Sequence, residues 1–358
     1  MRIAADNLME AIITLLQALG AGDEEARLVA TVLVQADMRG IHTHGCAFLP
    51  LIAERKDHGL LNLPTKVKLI NDEGAVAHID GNNGLGQVAA AEAMRICISK
   101  AKNHGVALAL VRNTNHIGFL GYYTLMAAAE GMIGICATNA APSVAPWGGA
   151  ESFFGSNPLS IAAPVADGTP IVLDMSASVV ARGKIRRAQR LNENIPLGWA
   201  LDQQGAPTTD PAAALKGTLL PIGGPKGYGL ALFIDLLCGL LSGSKYGRDL
   251  LTFHKPIGPT GVGAMFMAVD IGRFMPPARF ETLLDAYVRS IRDSQKAPGV
   301  ERIFLPGEIE AQAAEASKSR GLEVDSQIVE KINRLLAEKN LALRIEDYPT
   351  ASCRESSP

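Results

Sequence analysis

No stretch of the 358 residues reaches the ~20 uninterrupted apolar side chains that a membrane span requires. The start of the chain also lacks a basic segment followed by a cleavable apolar core, so the expected location is the cytoplasm, with no membrane partner. Charge of one sign is missing too: 34 Lys and Arg stand against 36 Asp and Glu, with no sustained basic run. Nothing here gives a phosphate backbone an electrostatic footprint, which excludes nucleic acid as the expected partner. Cysteine is sparse and poorly spaced for chemistry. Cys46, Cys97, Cys136, Cys238 and Cys353 are odd in number and form no CxxC pair, which disfavours a disulfide scaffold and a zinc knuckle. They read as small buried hydrophobes. Internal repeats and low-complexity segments are absent as well.

What is present suits a large globular core: 47% of the residues are hydrophobic, 20% are charged, and the length suggests about two domains. Leu8, Ile12, Leu15, Leu16 and Leu19 recur at helical spacing until Gly20 and Gly22, and Asp23 is placed to cap a second helix through Ala36. Helical patterns return over residues 309–338. These ends predict a helical domain from residues 1–70 with 309–345, around an α/β (α+β) region over 71–308. Residues 346–358 are expected to be a disordered tail.

The densest chemistry lies in residues 113–164. An apolar segment, 106–111, leads into Asn113-Thr114-Asn115-His116, and Gly118 and Gly121 open a helical run that closes at Gly131. A second apolar segment, 132–137, delivers Thr138 and Asn139 to a long Gly- and Pro-rich loop. Loops of that length inside a domain are usually functional. His42 and His44 stand two apart, which in a strand would face them the same way, as metal ligands sometimes do. No obvious further ligand set accompanies them, so no metal site is assigned. Gly84-x-Gly86-x-x-Ala89 imitates a dinucleotide fingerprint, but the next strand ends in Arg112-Asn113 and not in the acidic residue that would take ribose hydroxyls. Residues 221–229, PIGGPKGYG, lack the GxxxxGK[ST] spacing of an ATPase loop. Their glycines could still free backbone amides for an anion at the start of a helix from Leu230 to Leu241, with Lys226 adding charge. That helix is apolar nearly all round and is expected to be buried.

These blocks carry a family resemblance. NTNHIGFLGYY, GMIGICATNAAPSVAPWGG and GSNPLSIAAP within 113–164 resemble the type-2 malate and L-lactate dehydrogenases. So do DMRGIHTHG at 37–45, VLDMSAS at 172–178 followed by GKI, PIGGPKGYGLAL at 221–232 and APGVERIFLPGE at 297–308. The resemblance spans nearly the whole chain. It implies an NAD- or NADP-dependent oxidoreductase on a non-Rossmann nicotinamide-binding α/β domain, acting on a small-molecule substrate and assembling as a homodimer. Relatives in the resembled family oxidise ureidoglycolate or sulfolactate, and others reduce cyclic imines. A cyclic imino-acid reductase and a non-catalytic binding member are therefore the alternatives.

Hydride transfer at an alcohol carbon needs a proton acceptor, a cation to hold the substrate and a pocket without water. By resemblance, His116 ranks first as acid/base and His44 next, with Thr43 beside it. Lys184 of the GKI block, where imine-reducing relatives carry an aspartate, suits an oxygen anion and tilts the choice toward hydroxy acids. The resemblance assigns His116, Gly118, Asp174, Met175, Ser176, Arg182, Gly183, Lys226, Pro306, Gly307 and Glu308 to the cofactor, and Thr138 and Asn139 to the nicotinamide and substrate side. Many members place an arginine three residues after the SHG block to grip the substrate carboxylate, whereas Phe48 stands here. Arg55, Arg182 and Lys184 are the candidate substitutes. Malate, lactate and pyruvate are accordingly expected to be poor substrates, and the true one bulkier or more apolar.

Overall fold

A computed structural model describes residues 1–166 and 168–346. Residues 347–358 of the expected tail lie outside the described residues. The chain divides into two compact units, one formed by Met1–Lys66 with the chain from Glu308 onward, the other by Val67–Gly307.

The first unit begins with β1 (Arg2–Ile3), α1 (Ala5–Ala18) and α2 (Asp23–Met38). The i, i+3, i+4 spacing of Leu8, Ala11, Ile12, Leu15 and Leu16 places all five on one fully buried face of α1. Asp23 does not cap α2. Gly22 takes the cap position, and Glu25 Oε1 reaches back 2.8 Å to its amide, so the acidic residue three places on does the capping. Glu25 Oε2 also accepts the Thr65 amide at 2.9 Å. After α3 (Leu49–Asp57) the chain leaves this unit at Lys66.

The second unit is built on a seven-stranded mixed sheet. Its early elements are β2 (Lys68–Glu73), β3 (Val76–Asp80), α4 (Gly86–His104), β4 (Val106–Thr114), α5 (Gly121–Ala129), β5 (Met132–Thr138), β6 (Leu159–Ala163) and β7 (Ile171–Met175). A satellite then follows: α6 (Arg182–Leu191), β8 (Ala200–Leu201), β9 (Pro207–Thr208), α7 (Pro211–Lys216) and β10 (Thr218–Leu219) pack around Val144, Ile185, Ala188 and Leu219. Next come α8 (Pro225–Asp235), a π-helical extension Leu236–Leu241, β11 (Val262–Asp270) and α9 (Pro277–Arg292). The sheet order is β2-β3-β4-β11-β5-β6-β7, and only the β3–β4 pair is parallel. β2, KLINDE, is an exposed edge strand with no apolar alternation, which is why the sequence did not announce it.

β11 is central and covered on both faces. Met265 packs with Ile234 and Cys238 of the α8 segment, while the next side chain, Phe266, points oppositely and meets Tyr123 of α5 at 5.7 Å, edge to face. The α8 segment itself departs from expectation. It starts at Pro225, not Leu230, and only one side is buried: Ala231, Ile234, Asp235 and Cys238 face the sheet, whereas Phe233, Leu240 and Leu241 are 62%, 55% and 57% exposed. A single sheet face can cover only one side of a helix.

The chain then returns to the first unit. α10 (Glu308–Arg320) lies on α2, β12 (Leu322–Glu323) pairs antiparallel with β1, and α11 (Ser326–Glu338) lies on α1 and α3. Asp325 caps α11 by accepting the Gln327 amide at 2.9 Å.

In the second unit the N-terminus of α4 is pressed against the chain that follows β4. A Cβ on Gly86 would sit 2.5 Å from the carbonyl oxygens of Asn115 and of His116. Gly86→Ala must push that crossing apart, and overpacking of this kind costs about 1–3 kcal/mol. Urea unfolding of the variant should show a lowered midpoint, and an unchanged midpoint would mean that the crossing yields freely.

Candidate active site

Each unit carries one of the two histidines of interest. In the first, the buried carboxylate of Asp37 organises residues 37–48. Its Oδ1 accepts from His42 Nδ1 at 3.1 Å and its Oδ2 accepts the Cys46 amide at 2.8 Å. A Cβ on Gly45 would collide with this carboxylate, so glycine is required there. The segment is not a strand: His42–His44 and Cys46–Phe48 are successive 3-10 turns. The two imidazoles therefore do not share a side by strand alternation. His42 belongs to Asp37, while His44 Nδ1 lies 2.8 Å from the Thr43 hydroxyl and its ring stacks on Phe48 at 6.3 Å between centroids. Arg55, considered above as a carboxylate clamp, is fully buried on α3.

In the second unit, His116 follows the end of β4. Asn115 beside it is buried and committed: Nδ2 donates to Asn83 Oδ1 at 3.1 Å and to the Gly84 carbonyl at 2.9 Å. Thr260 Oγ1 stands 2.9 Å from Asn115 Oδ1 and 3.0 Å from the Thr114 carbonyl, linking the loop before β11 to the same point. Beyond the histidine, the Tyr123 hydroxyl donates to the Ile117 carbonyl, and the Gly118 amide donates to His116 Nδ1 at 3.2 Å. The half-buried ring of His116 meets Phe253 at 6.1 Å. Gly84, the first glycine of the stretch that imitated a dinucleotide fingerprint, holds Asn115 together with Asn83.

Thr138 and Asn139, expected to line the substrate side, have buried side chains that bond within the protein. Thr138 Oγ1 donates to the Gly263 carbonyl at 2.8 Å. Asn139 Nδ2 donates to Asp235 Oδ1 at 3.1 Å and to the Lys245 carbonyl at 2.9 Å, while its Oδ1 accepts the Gly263 amide at 2.9 Å. Both of its amide hydrogens and its oxygen are engaged within the protein, so Asn139 positions other groups. Asp235, which the sequence reading overlooked, also accepts the Gly247 amide at 2.8 Å, and burial pushes its carboxyl above the usual range. A lone acid in an apolar helix was the available signal.

Several residues assigned to the cofactor meet around β7. Asp174 Oδ2 accepts the Gly121 amide at the start of α5 at 2.7 Å, the Ser176 hydroxyl bonds Ser178, and the Pro306 carbonyl accepts the Val172 amide at 3.0 Å. Gly307 sits at φ +87 against Val172, where a Cβ would come within 2.9 Å of the valine's own. Met175 is paired with Leu159 by strand register, and Glu308 is buried where α10 opens.

Arg182 is elsewhere: its guanidinium donates to the Leu215 and Gly217 carbonyls at 2.9 and 3.2 Å, closing the C-terminus of α7. It is a structural group and not a free clamp. Gly183 and Lys184 follow it on α6, with Lys184 exposed. The glycine turn before α8 also differs from expectation. The amides of Gly224, Lys226, Gly227 and Tyr228 donate to carbonyls of the same turn, so they form no open anion cradle. A Cβ on Gly227 would collide with Ile222, and one on Gly224 would lie 2.9 Å from the Trp147 ring. Close packing is the reason for these glycines, and the exposed Lys226 supplies the turn's positive charge.

Such strand ends, with a lysine-bearing helix start and a hydrogen-bonded histidine, are the furniture of a dehydrogenase. A family model described as malate/L-lactate dehydrogenase matches residues 3–333. The malate dehydrogenase of Pyrococcus horikoshii is 39% identical over 93% of this chain and 94% of its own. The solved sulfolactate dehydrogenase of Methanocaldococcus jannaschii superposes with a TM-score of 0.91 at 38% identity, covering 96% of this chain and 98% of that one. Names of further relatives specify NAD(+) in one case and NADP(+) in another. The chain belongs to the malate/L-lactate dehydrogenase family.

The Asp37 carboxylate, accepting the ring N–H of His42, raises that imidazole's pKa above its ordinary 6.5. A raised histidine pKa means that the pair's stabilisation is full below about pH 6.5 and fades as pH rises through the folded value. His42 is half exposed, so the slope should be shallow. His42→Gln should remove it from the Tm measured across that window by calorimetry, and an unaltered slope would assign the pH dependence to other groups.

Proposed function

We propose that the chain is an NAD- or NADP-dependent oxidoreductase that interconverts a 2-hydroxy acid and its 2-oxo acid in the cytoplasm. The observation that carries this is His116, half buried at the end of a central strand and held by bonds on both of its flanks. The helical unit and the α/β unit would serve as separate domains, the second holding the dinucleotide on a non-Rossmann sheet. Its support is the strand order, in which a single parallel pair takes the place of a doubly wound parallel sheet.

The residues present fit a dinucleotide. Lys226 offers an exposed cation to a phosphate, and Asp174 with Ser176 offers oxygen acceptors to ribose hydroxyls at the end of β7. Pro306 and Gly307 form the adjoining backbone wall, and Gly118, Met175, Gly183 and Glu308 complete the proposed set. When bound, the nicotinamide supplies or takes the hydride. His116 would handle the substrate oxygen and its proton, with His44 beside Thr43 as the second candidate for that role, and the exposed Lys184 would serve as a cation for the acid.

Phe48, stacked on His44 in the place of an arginine clamp, favours a substrate that is bulkier or more apolar than malate or lactate. A charge-assisted bidentate contact contributes roughly 2–3 kcal/mol, so small oxo acids should bind about 100-fold more weakly than they would with the arginine. Oxo acids of rising side-chain size, assayed with NADH and NADPH, should favour the larger ones in the wild type and the smaller ones in Phe48→Arg. Efficient wild-type use of pyruvate or oxaloacetate would defeat the specificity argument. Turnover of cyclic imines alone, or of nothing, would defeat the hydroxy-acid reading itself. Lys226→Ala should weaken NADH or NADPH in a fluorescence titration.

A homodimer is part of the same reading. Phe233, Leu236, Leu240 and Leu241 stand exposed along the α8 segment, and covering them with a second copy would contribute roughly 3–6 kcal/mol before association costs. Light scattering should give twice the chain mass for the wild type and a single chain for Phe233→Glu combined with Leu240→Glu. A monomeric wild type at micromolar concentration would refute this.

A further inference from the structure

Within the α/β unit, β4 ends in a bulge. Thr114 pairs with Val262 and Val111 with Ala264, so Arg112 and Asn113 together stand opposite Gly263 alone. Two residues against one shift the register by a single place, and a one-residue shift exchanges the faces taken by the side chains that follow. The segment so redirected is Thr114-Asn115-His116. On the opposite strand a Cβ at Gly263 would collide with the Cys238 carbonyl oxygen, so that side is packed to contact.

The chain after β3 and Ser244 hold the backbone of the bulge. The Arg112 and Asn113 carbonyls accept the Gly81 and Asn83 amides at 2.9 and 2.7 Å, and the Asn113 amide donates to Ser244 Oγ at 3.3 Å. Asn113 lies at φ +50, in the left-handed region. Its side chain and that of Arg112 reach one atom: Arg112 Nε and Asn113 Nδ2 each donate to Asp80 Oδ2 at 3.0 Å. The other oxygen, Asp80 Oδ1, accepts the Asn82 amide at 2.7 Å. Asp80 ends β3, the strand parallel to β4, and its side chain is 15% exposed. Burial opposes its charge, but these donors outweigh burial and hold the carboxyl below its ordinary pKa. Only an ionised carboxylate sets two acceptor oxygens and no hydrogen against three donors.

Resting on the dehydrogenase reading above, we infer that Asp80 is a positioning residue for the reaction: it clamps the two bulged residues of β4 and so fixes the direction in which the chain delivers His116. The clamp extends past the bulge. Asn83, whose amide the Asn113 carbonyl holds, also receives Asn115 Nδ2 at 3.1 Å, next to the histidine. Asp80 acts through this backbone, whichever proton the imidazole carries.

Asp80→Asn keeps the size of the side chain and turns an amide N–H against one of the three donors. At saturating NADH or NADPH, with the best 2-oxo acid, its kcat should fall about 10- to 100-fold, the scale of a misplacement near 1 Å. The cofactor Kd from a fluorescence titration should be unchanged. Exchanging the pair, Asp80→Asn with Asn113→Asp, moves the acceptor across the bond and should restore most of the lost kcat, since aspartate also tolerates the left-handed conformation. Should Asp80→Asn fail to fold, Asn113→Gly serves instead: glycine keeps the backbone conformation, loses the bond to Asp80, and should lower kcat several-fold with Kd again unchanged. Wild-type kcat in both single variants, equal losses of kcat and cofactor affinity, or an exchange that restores nothing overturns the inference. Ring resonances of His116, assigned by their loss in His116→Gln, should move in Asp80→Asn and return in the exchanged pair. Wild-type protein that oxidises neither NADH nor NADPH with any 2-oxo acid would overturn the dehydrogenase reading, while these resonances would still decide whether Asp80 places the ring.

Discussion

Two buried asparagines, one just past the end of β4 and one just past the end of β5, hold the irregular parts of the α/β unit to its sheet. Asn139 gathers Asp235, the Lys245 carbonyl and the Gly263 amide, and Asn115 gathers Asn83, Gly84 and Thr260. An amide side chain suits this work because it both donates and accepts, and so can satisfy chain segments of either polarity in a dry interior. Removing either would leave several buried groups unpaired, each costing about 1–3 kcal/mol. A third, Asn157, acts in the same way on the long loop: it accepts the Ala140 amide at 3.1 Å and donates to the Ala231 carbonyl at 2.9 Å. The loop is long without being loose.

The glycines of this protein serve contact between chain segments more than contact with phosphate. Gly86 admits the carbonyls beside His116, Gly45 admits the Asp37 carboxylate, Gly227 admits Ile222 and Gly224 admits Trp147. In each case an absent Cβ allows two segments to approach more closely than side chains permit. A sequence alone does not distinguish a glycine that makes room for a ligand from one that makes room for the protein itself. The same ambiguity applies to cations: Arg182 sits in a motif that suggests a ligand, yet its guanidinium closes a helix end.

Histidines are likewise distinguished by their partners and not by their spacing. His42 leans on a carboxylate, His44 on a hydroxyl and His116 on a backbone amide. The carboxylate partner favours a charged ring for His42. All three side chains are identical in the sequence.

Periodicity by itself determined α1 and α5 to within a few residues, and the apolar segments that became β4 and β5, because one-sided burial writes a repeat into the chain. The order of the polar blocks determined the family. What periodicity could not determine was anything set by a neighbour distant in sequence. The polar edge strand β2 exists because β3 offers it hydrogen bonds. The outer side of the α8 segment stays exposed because one sheet face covers only half a helix. Thr138 and Asn139 turned inward because Gly263 and Asp235, more than ninety residues further along, meet them there. Local sequence sets backbone preference and polarity, whereas the partner of each buried polar group is chosen by the packing of the whole unit, and only the tertiary structure records that choice.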